Sequence, residues 1–116
     1  MTQKINISEG LAPGQLLDLR KDIEVNPGAI VSKTLRKSAA TNLTLFAFDG
    51  GQGLSGHSSP MDAFVQVLSG QMEITIGETS TTLTENQIIL MPAGVNHALE
   101  ALEPAKMLLI MTAVQN

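Results

Sequence analysis

Two histidines carry whatever polar chemistry this chain can do in a confined space. His57 and His97 are the only histidines in 116 residues, and cysteine is absent. An imidazole titrates near neutrality, so either ring can act as a general base, a hydrogen-bonding anchor or a metal ligand. Asp62 lies close to His57 in sequence and is the nearest carboxylate to join the pair around an ion, if a bulge turns it inward. Two imidazoles and one carboxylate is the donor set of non-haem iron oxygenases. The opposing expectation is that Asp62 caps the turn after Pro60, because a strand of period two places Asp62 and His57 on opposite faces. Ser58 and Ser59 adjoin His57, but no nucleophile elbow surrounds them. The glycine-rich DGGQG at Asp49–Gly53 precedes a strand, not a helix, and reads as a turn instead of a phosphate loop.

The elements that must position these residues are strands. AIVSKTLRK from Ala29 and TNLTLFAFD from Thr41 alternate, with Leu43, Leu45 and Ala47 on one side and Thr44, Phe46 and Phe48 on the other. DAFVQVLS, QMEITI, TTLTE, QIILMP and AKMLLIMTAV follow, each bounded by Gly, Pro, Asn or Ser clusters. No long helix is predicted, and the fold class is all-β, a sandwich or barrel. If the strand through His57 is unbroken, Ser59, Met61, Ala63, Val65 and Val67 share its face, although Pro60 interrupts the ladder. Pro92 and Gly94 make a turn that delivers His97 onto the next strand with Leu99 and Ala101 on its face. Two histidines on separate strands meet only if the sheet curls back on itself, as a barrel does.

These residues carry a resemblance. Gly51, His57 and Gly70, followed by Pro92, Gly94 and His97, are similar in spacing to the two motifs of the cupin superfamily. The 15 residues between Gly70 and Asn86 match the hairpin that separates those motifs. The resemblance covers roughly residues 29 to 113. It implies a double-stranded β-helix, or jelly-roll, barrel of the small single-domain kind. Cupins of this pattern often hold a divalent metal (Fe, Mn, Ni or Zn) on three histidines and a glutamate. Here the second histidine position falls on Ser59 and the glutamate position on Ala63. The second motif's glycine and asparagine positions fall on Asn86 and Ala101. Of the metal set only His57 and His97 remain, and a catalytic ion usually has three protein ligands.

The predicted ligand-binding set is therefore His57, His97, Ser59, Met61, Ala63, Gln66, Met72 and Met91, with His57, His97 and Asp62 as the metal candidates. Met61, Met72, Met91, Met107 and Met111 are expected as flexible core fillers in preference to a copper or cofactor site. A cavity they line would favour a small apolar or weakly polar molecule over a sugar. A metal-dependent dioxygenase or isomerase is the alternative, and a regulatory module working through its outer surface is the third.

Length and composition set the remaining bounds. One domain is expected, with residues 1–28 as an N-terminal arm (a strand or a helical turn) and 29–116 as the barrel. Seven basic against eleven acidic residues give a net charge of -4, and there is no Trp or Tyr. Without a basic face or stacking platforms, nucleic acid is not an expected partner. No apolar run is long enough to span a bilayer, and no signal peptide is evident. Cysteine-free composition fits a reducing, cytoplasmic setting. Open sheet edges predict a homodimer, burying strands such as AIVSKTL or MLLIMTAV.

Overall fold

A computed structural model describes residues 2–7 and 10–114. Residues 1, 8 and 9 of the predicted arm and residues 115 and 116 of the predicted barrel lie outside the described residues. Ten strands follow in order: β1 (Gln3–Ile7), β2 (Ala29–Lys37), β3 (Thr41–Phe48), β4 (Gly53–His57), β5 (Met61–Ser69), β6 (Met72–Ile76), β7 (Thr79–Leu83), β8 (Ile88–Met91), β9 (His97–Ala101) and β10 (Ala105–Ala113). They form a six-stranded sheet in the order β1-β2-β3-β10-β5-β8 and a four-stranded sheet in the order β4-β9-β6-β7. Every pairing is antiparallel except β1 with β2. The chain is all-β, a jelly roll. Among the described residues no helix is long and apolar enough to cross a membrane.

The alternation read from the sequence decides what each face buries. Phe48, Val65, Val67, Met72, Ile74 and Met107, with others, fill the space between the two sheets. The opposite parity of the six-stranded sheet builds a second apolar cluster on its outside, from Val31, Leu35, Leu45, Ala47 and Leu68. Sheets buried on both faces need a cover, and the N-terminal arm provides it. Ile23 is buried in this outer cluster, and Leu17, Leu19 and Val25 pack against it. Polar contacts tie the arm down: the Leu11 N–H donates to the Leu35 carbonyl at 2.7 Å and Lys106 Nζ donates to the Arg20 carbonyl at 2.6 Å. The Arg20 guanidinium meets the Glu85 carboxylate at 2.7 Å.

The arm holds both a strand and turns, the two alternatives the sequence left open. It begins as a strand, β1, added in parallel to the edge of the sheet, and continues as a turn-rich strap across the outer face. The two strands named as examples of a dimer edge lie inside the sheet. β2 lies between β1 and β3, and β10 lies between β3 and β5, so neither has a free edge. The edges belong to β1, β8, β4 and β7.

Two turns explain motif positions. Gly70 has φ +80°, and a Cβ there would run into the Pro104 carbonyl and Ala105, so only glycine fits between β5 and β6. Asn86, at the glycine position of the second motif, has φ +67°. It is the one non-glycine residue in the left-handed region among those described. Asparagine tolerates that region better than most side chains, which is how the position keeps its turn without a glycine.

Candidate functional site

β4 and β9 are neighbours in the four-stranded sheet, and His57 and His97 are direct cross-strand partners. A bulge between Leu54 and His57 shifts the register of β4. Leu54 and His57 therefore both face the barrel interior although they are three positions apart. His97 is 5% exposed, whereas His57 sits exposed at the mouth. Their Nε2 atoms are 3.2 Å apart, with ring centroids 4.4 Å apart and ring planes at 71°.

The tautomers follow from the partners. His57 Nδ1 lies 2.9 Å from the Ser55 carbonyl, which can only accept, so Nδ1 carries the proton. His57 Nε2 is then a lone pair that accepts from the N–H at His97 Nε2. That leaves His97 Nδ1 as a buried nitrogen with no hydrogen-bond partner. Burial, and then the neighbouring His57, push the His97 pKa below the ordinary 6.5, while the Val95 backbone opposes the shift. Burial thus favours the neutral form of His97, whose ring is nearly dry, while the His57 ring is open to solvent.

A cavity of about 90 Å³ lies beside the rings. Its polar lining is the two histidines and Ser59; its apolar wall is Leu54, Met91, Leu99, Met107, Leu109 and Met111. Met91 and Met111 are both register partners of Ala63, on β8 and β10 respectively, so the two thioethers flank the small Ala63 side chain in one row.

Of the predicted residues, His57, His97, Ser59, Ala63 and Met91 line this cavity together. Parity survives the break at Ser58–Pro60, and Ser59 Oγ accepts the Met61 N–H at 3.1 Å as the chain enters β5. The others are corrections. Met61 shares the face of Ala63 but does not line the cavity. Met72 is fully buried on β6, opposite Leu83 and Ala101, as part of the core. Gln66 has the other parity of β5 and lies between Leu108 and Ile88, so it cannot reach the imidazoles. Asp62 also has that parity: its Oδ1 accepts the Ala93 N–H at 2.9 Å, fixing the turn that precedes β9. Met107, Leu109 and Met111 were missed as lining. Their alternation on the last strand was the available signal, and it reads equally as plain core.

The divalent ion that the motif resemblance implies does not fit this donor set. The cavity offers two imidazole nitrogens and one hydroxyl, and Asp62 faces away. Among the described residues no three His, Cys, Asp or Glu side chains gather where an ion could sit. Fe, Mn, Ni or Zn would lack the third nitrogen or oxygen ligand that such ions take from a protein.

The cupin-domain family model matches residues 44–111, more than half the chain. This chain is a cupin. Solved structures agree across nearly its whole length. It is similar to the conserved SPY1581 protein of unknown function from Streptococcus pyogenes, at 39% identity and TM-score 0.83 over 89% of this chain and 90% of that one. A cupin superfamily protein (DSY2733) from Desulfitobacterium hafniense is 26% identical, with TM-score 0.83 over 90% of this chain and 95% of that one. A Cupin 2 conserved barrel domain protein from Leptotrichia buccalis is 32% identical with TM-score 0.81; the match covers 83% of this cupin but 47% of that chain. None of the curated proteins is significantly similar.

Proposed function

We propose that this cupin binds a small, largely apolar molecule in its barrel, with the histidine pair holding the molecule's one polar end. The observation that carries this reading is the cavity itself. Six large apolar side chains wall it, Leu54 among them, and its polar groups are only the two histidines and Ser59. A pocket so built gains affinity from apolar burial and orientation from a few polar atoms. The volume suits a ligand of a few heavy atoms, such as a short chain or one small ring, and excludes a sugar. The partnerless His97 Nδ1 supplies an acceptor, and the Ser59 hydroxyl, whose oxygen accepts the Met61 N–H, can supply a donor.

The test is methyl-resolved NMR of the metal-free protein against a library of small apolar fragments bearing one hydroxyl, carbonyl or amine. Expected are saturable shifts at the Met91, Met107 and Met111 methyls, lost in His97→Phe, which fills the site with a ring of similar size. Shifts confined to surface residues, or unaltered by His97→Phe, overturn the reading.

The same proposal covers assembly and setting. β8 is an edge strand of four apolar residues, with Ile88 57% and Leu90 43% exposed. Edge strands without charge or proline invite pairing, so a second copy of the chain docking on β8 is the proposed homodimer. Leu90→Lys should convert a dimer to a monomer in sedimentation equilibrium; a wild-type monomer removes this part of the proposal. A cytoplasmic location is supported by the cysteine-free composition.

A further inference from the structure

The cavity that fails a hard divalent ion is furnished for a soft one. Two imidazole nitrogens face each other at 3.2 Å, and three methionines, Met91, Met107 and Met111, line the same 90 Å³ space. Thioether sulfur and imidazole nitrogen, with no carboxylate, select a soft monovalent ion such as Cu(I) over Zn, Fe or Mn. We propose that His57, His97 and the thioethers of Met91 and Met111 form a Cu(I) site inside the barrel.

The geometry supports it in three respects. An ion about 2.0–2.1 Å from each Nε2 would see the two nitrogens at an angle of about 100°, which leaves a third and fourth position open toward the cavity. Met91 and Met111 line that same cavity. Met91 and Met111 stand on either side of Ala63. The residue at the carboxylate position of the cupin motif is therefore a methyl group flanked by two sulfurs. Methionine has three rotatable bonds, so either sulfur can swing over Ala63 without backbone movement.

The far side of the rings is compatible with the same state. Ser55 O already holds the proton on His57 Nδ1, leaving Nε2 free to ligate. Nδ1 of His97 is buried with no hydrogen-bond partner among the described residues, so it can carry the ring proton when an ion occupies Nε2. The exposed His57 gives the ion a way in from solvent. No thiol anywhere in the chain competes for it.

This inference does not rest on the small-molecule reading, and the two are tested apart, one with metal-free protein and fragments, the other with metal alone. Tag-free protein is titrated anaerobically with Cu(I) against a chromophoric Cu(I) chelator. Ag(I), redox-inert and similarly soft, is followed through the methionine methyl resonances. One equivalent of Cu(I) is expected. His97→Ala should abolish binding, while Met91→Leu and Met111→Leu, which conserve volume and leave the fold intact, should each weaken it by about tenfold or more. Ag(I) should shift the Met91 and Met111 methyls and leave Met72 unmoved. Failure to retain Cu(I) against the chelator overturns the proposal. So does affinity indifferent to both leucine variants, or Zn(II) bound as tightly as Cu(I).

Discussion

At the scale of single residues, His97 makes the protein sensitive to acid. Its folded-state pKa lies below 6.5, chiefly through burial, so the unfolded chain binds a proton more readily than the native one. Stability from this group is complete above about pH 6.5 and is lost as pH falls from there toward the lowered native value. Urea midpoints of metal-free protein should therefore drop through that window, and His97→Gln should flatten the dependence within it. Asp62 has a different role. Its carboxylate accepts the Ala93 N–H in a partly buried turn, so Asp62→Ala should cost about 1–3 kcal/mol in chemical denaturation. Because Asp62 does not face the histidines, the same substitution should leave Cu(I) affinity unchanged. Ala63→Glu makes the complementary prediction: a carboxylate on the methionine row, facing the imidazoles, should lower Cu(I) retention and raise Mn(II) or Ni(II) uptake, measurable by elemental mass spectrometry.

Among the elements, the four-stranded sheet carries an avoidable repulsion. Glu73 on β6 and Glu100 on β9 are direct partners on its outer face. Like charges opposite one another destabilise a ladder, so Glu100→Lys should raise stability by up to about 1 kcal/mol, an effect that added salt should shrink. Strand identity was largely legible because one buried face forces a period of two. The alternation around Leu43–Phe48 and Met72–Ile76 sorted inner from outer residues as the structure does. The link from His57 to Ala63 was legible too, since an even step across the Pro60 break preserves the face. Three features were not. β7 begins at Thr79, two residues ahead of the predicted TTLTE run, because its exposed face is all hydroxyls and small polar groups with little pattern to register. The bulge in β4 depends on how two backbones meet, which no local sequence encodes. Gln66 and Asp62 were assigned to the site for their chemistry, against the parity that placed them outside it.

For the molecule as a whole, the arm completes the fold. Ile23, 3% exposed, anchors it to the outer cluster. Ile23→Ala should cost about 2–5 kcal/mol by denaturant unfolding, while the volume-conserving Ile23→Leu should cost much less. Its packing was illegible beforehand because SEGLAPGQLLDL has no period of its own; its shape is dictated by the sheet it covers. The six-stranded sheet separates that outer cluster from the cavity lining, since successive side chains of one strand belong to different clusters. Substitutions on the two sides share no contacts, so their effects should add. A lineage can therefore rewrite the lining at Ala63, Met91 or Met111 while the shell that keeps the barrel folded stays as it is. Because Ala63 and Met91 also belong to the inner core, each such change must be accommodated within that core, and the outer cluster is left untouched.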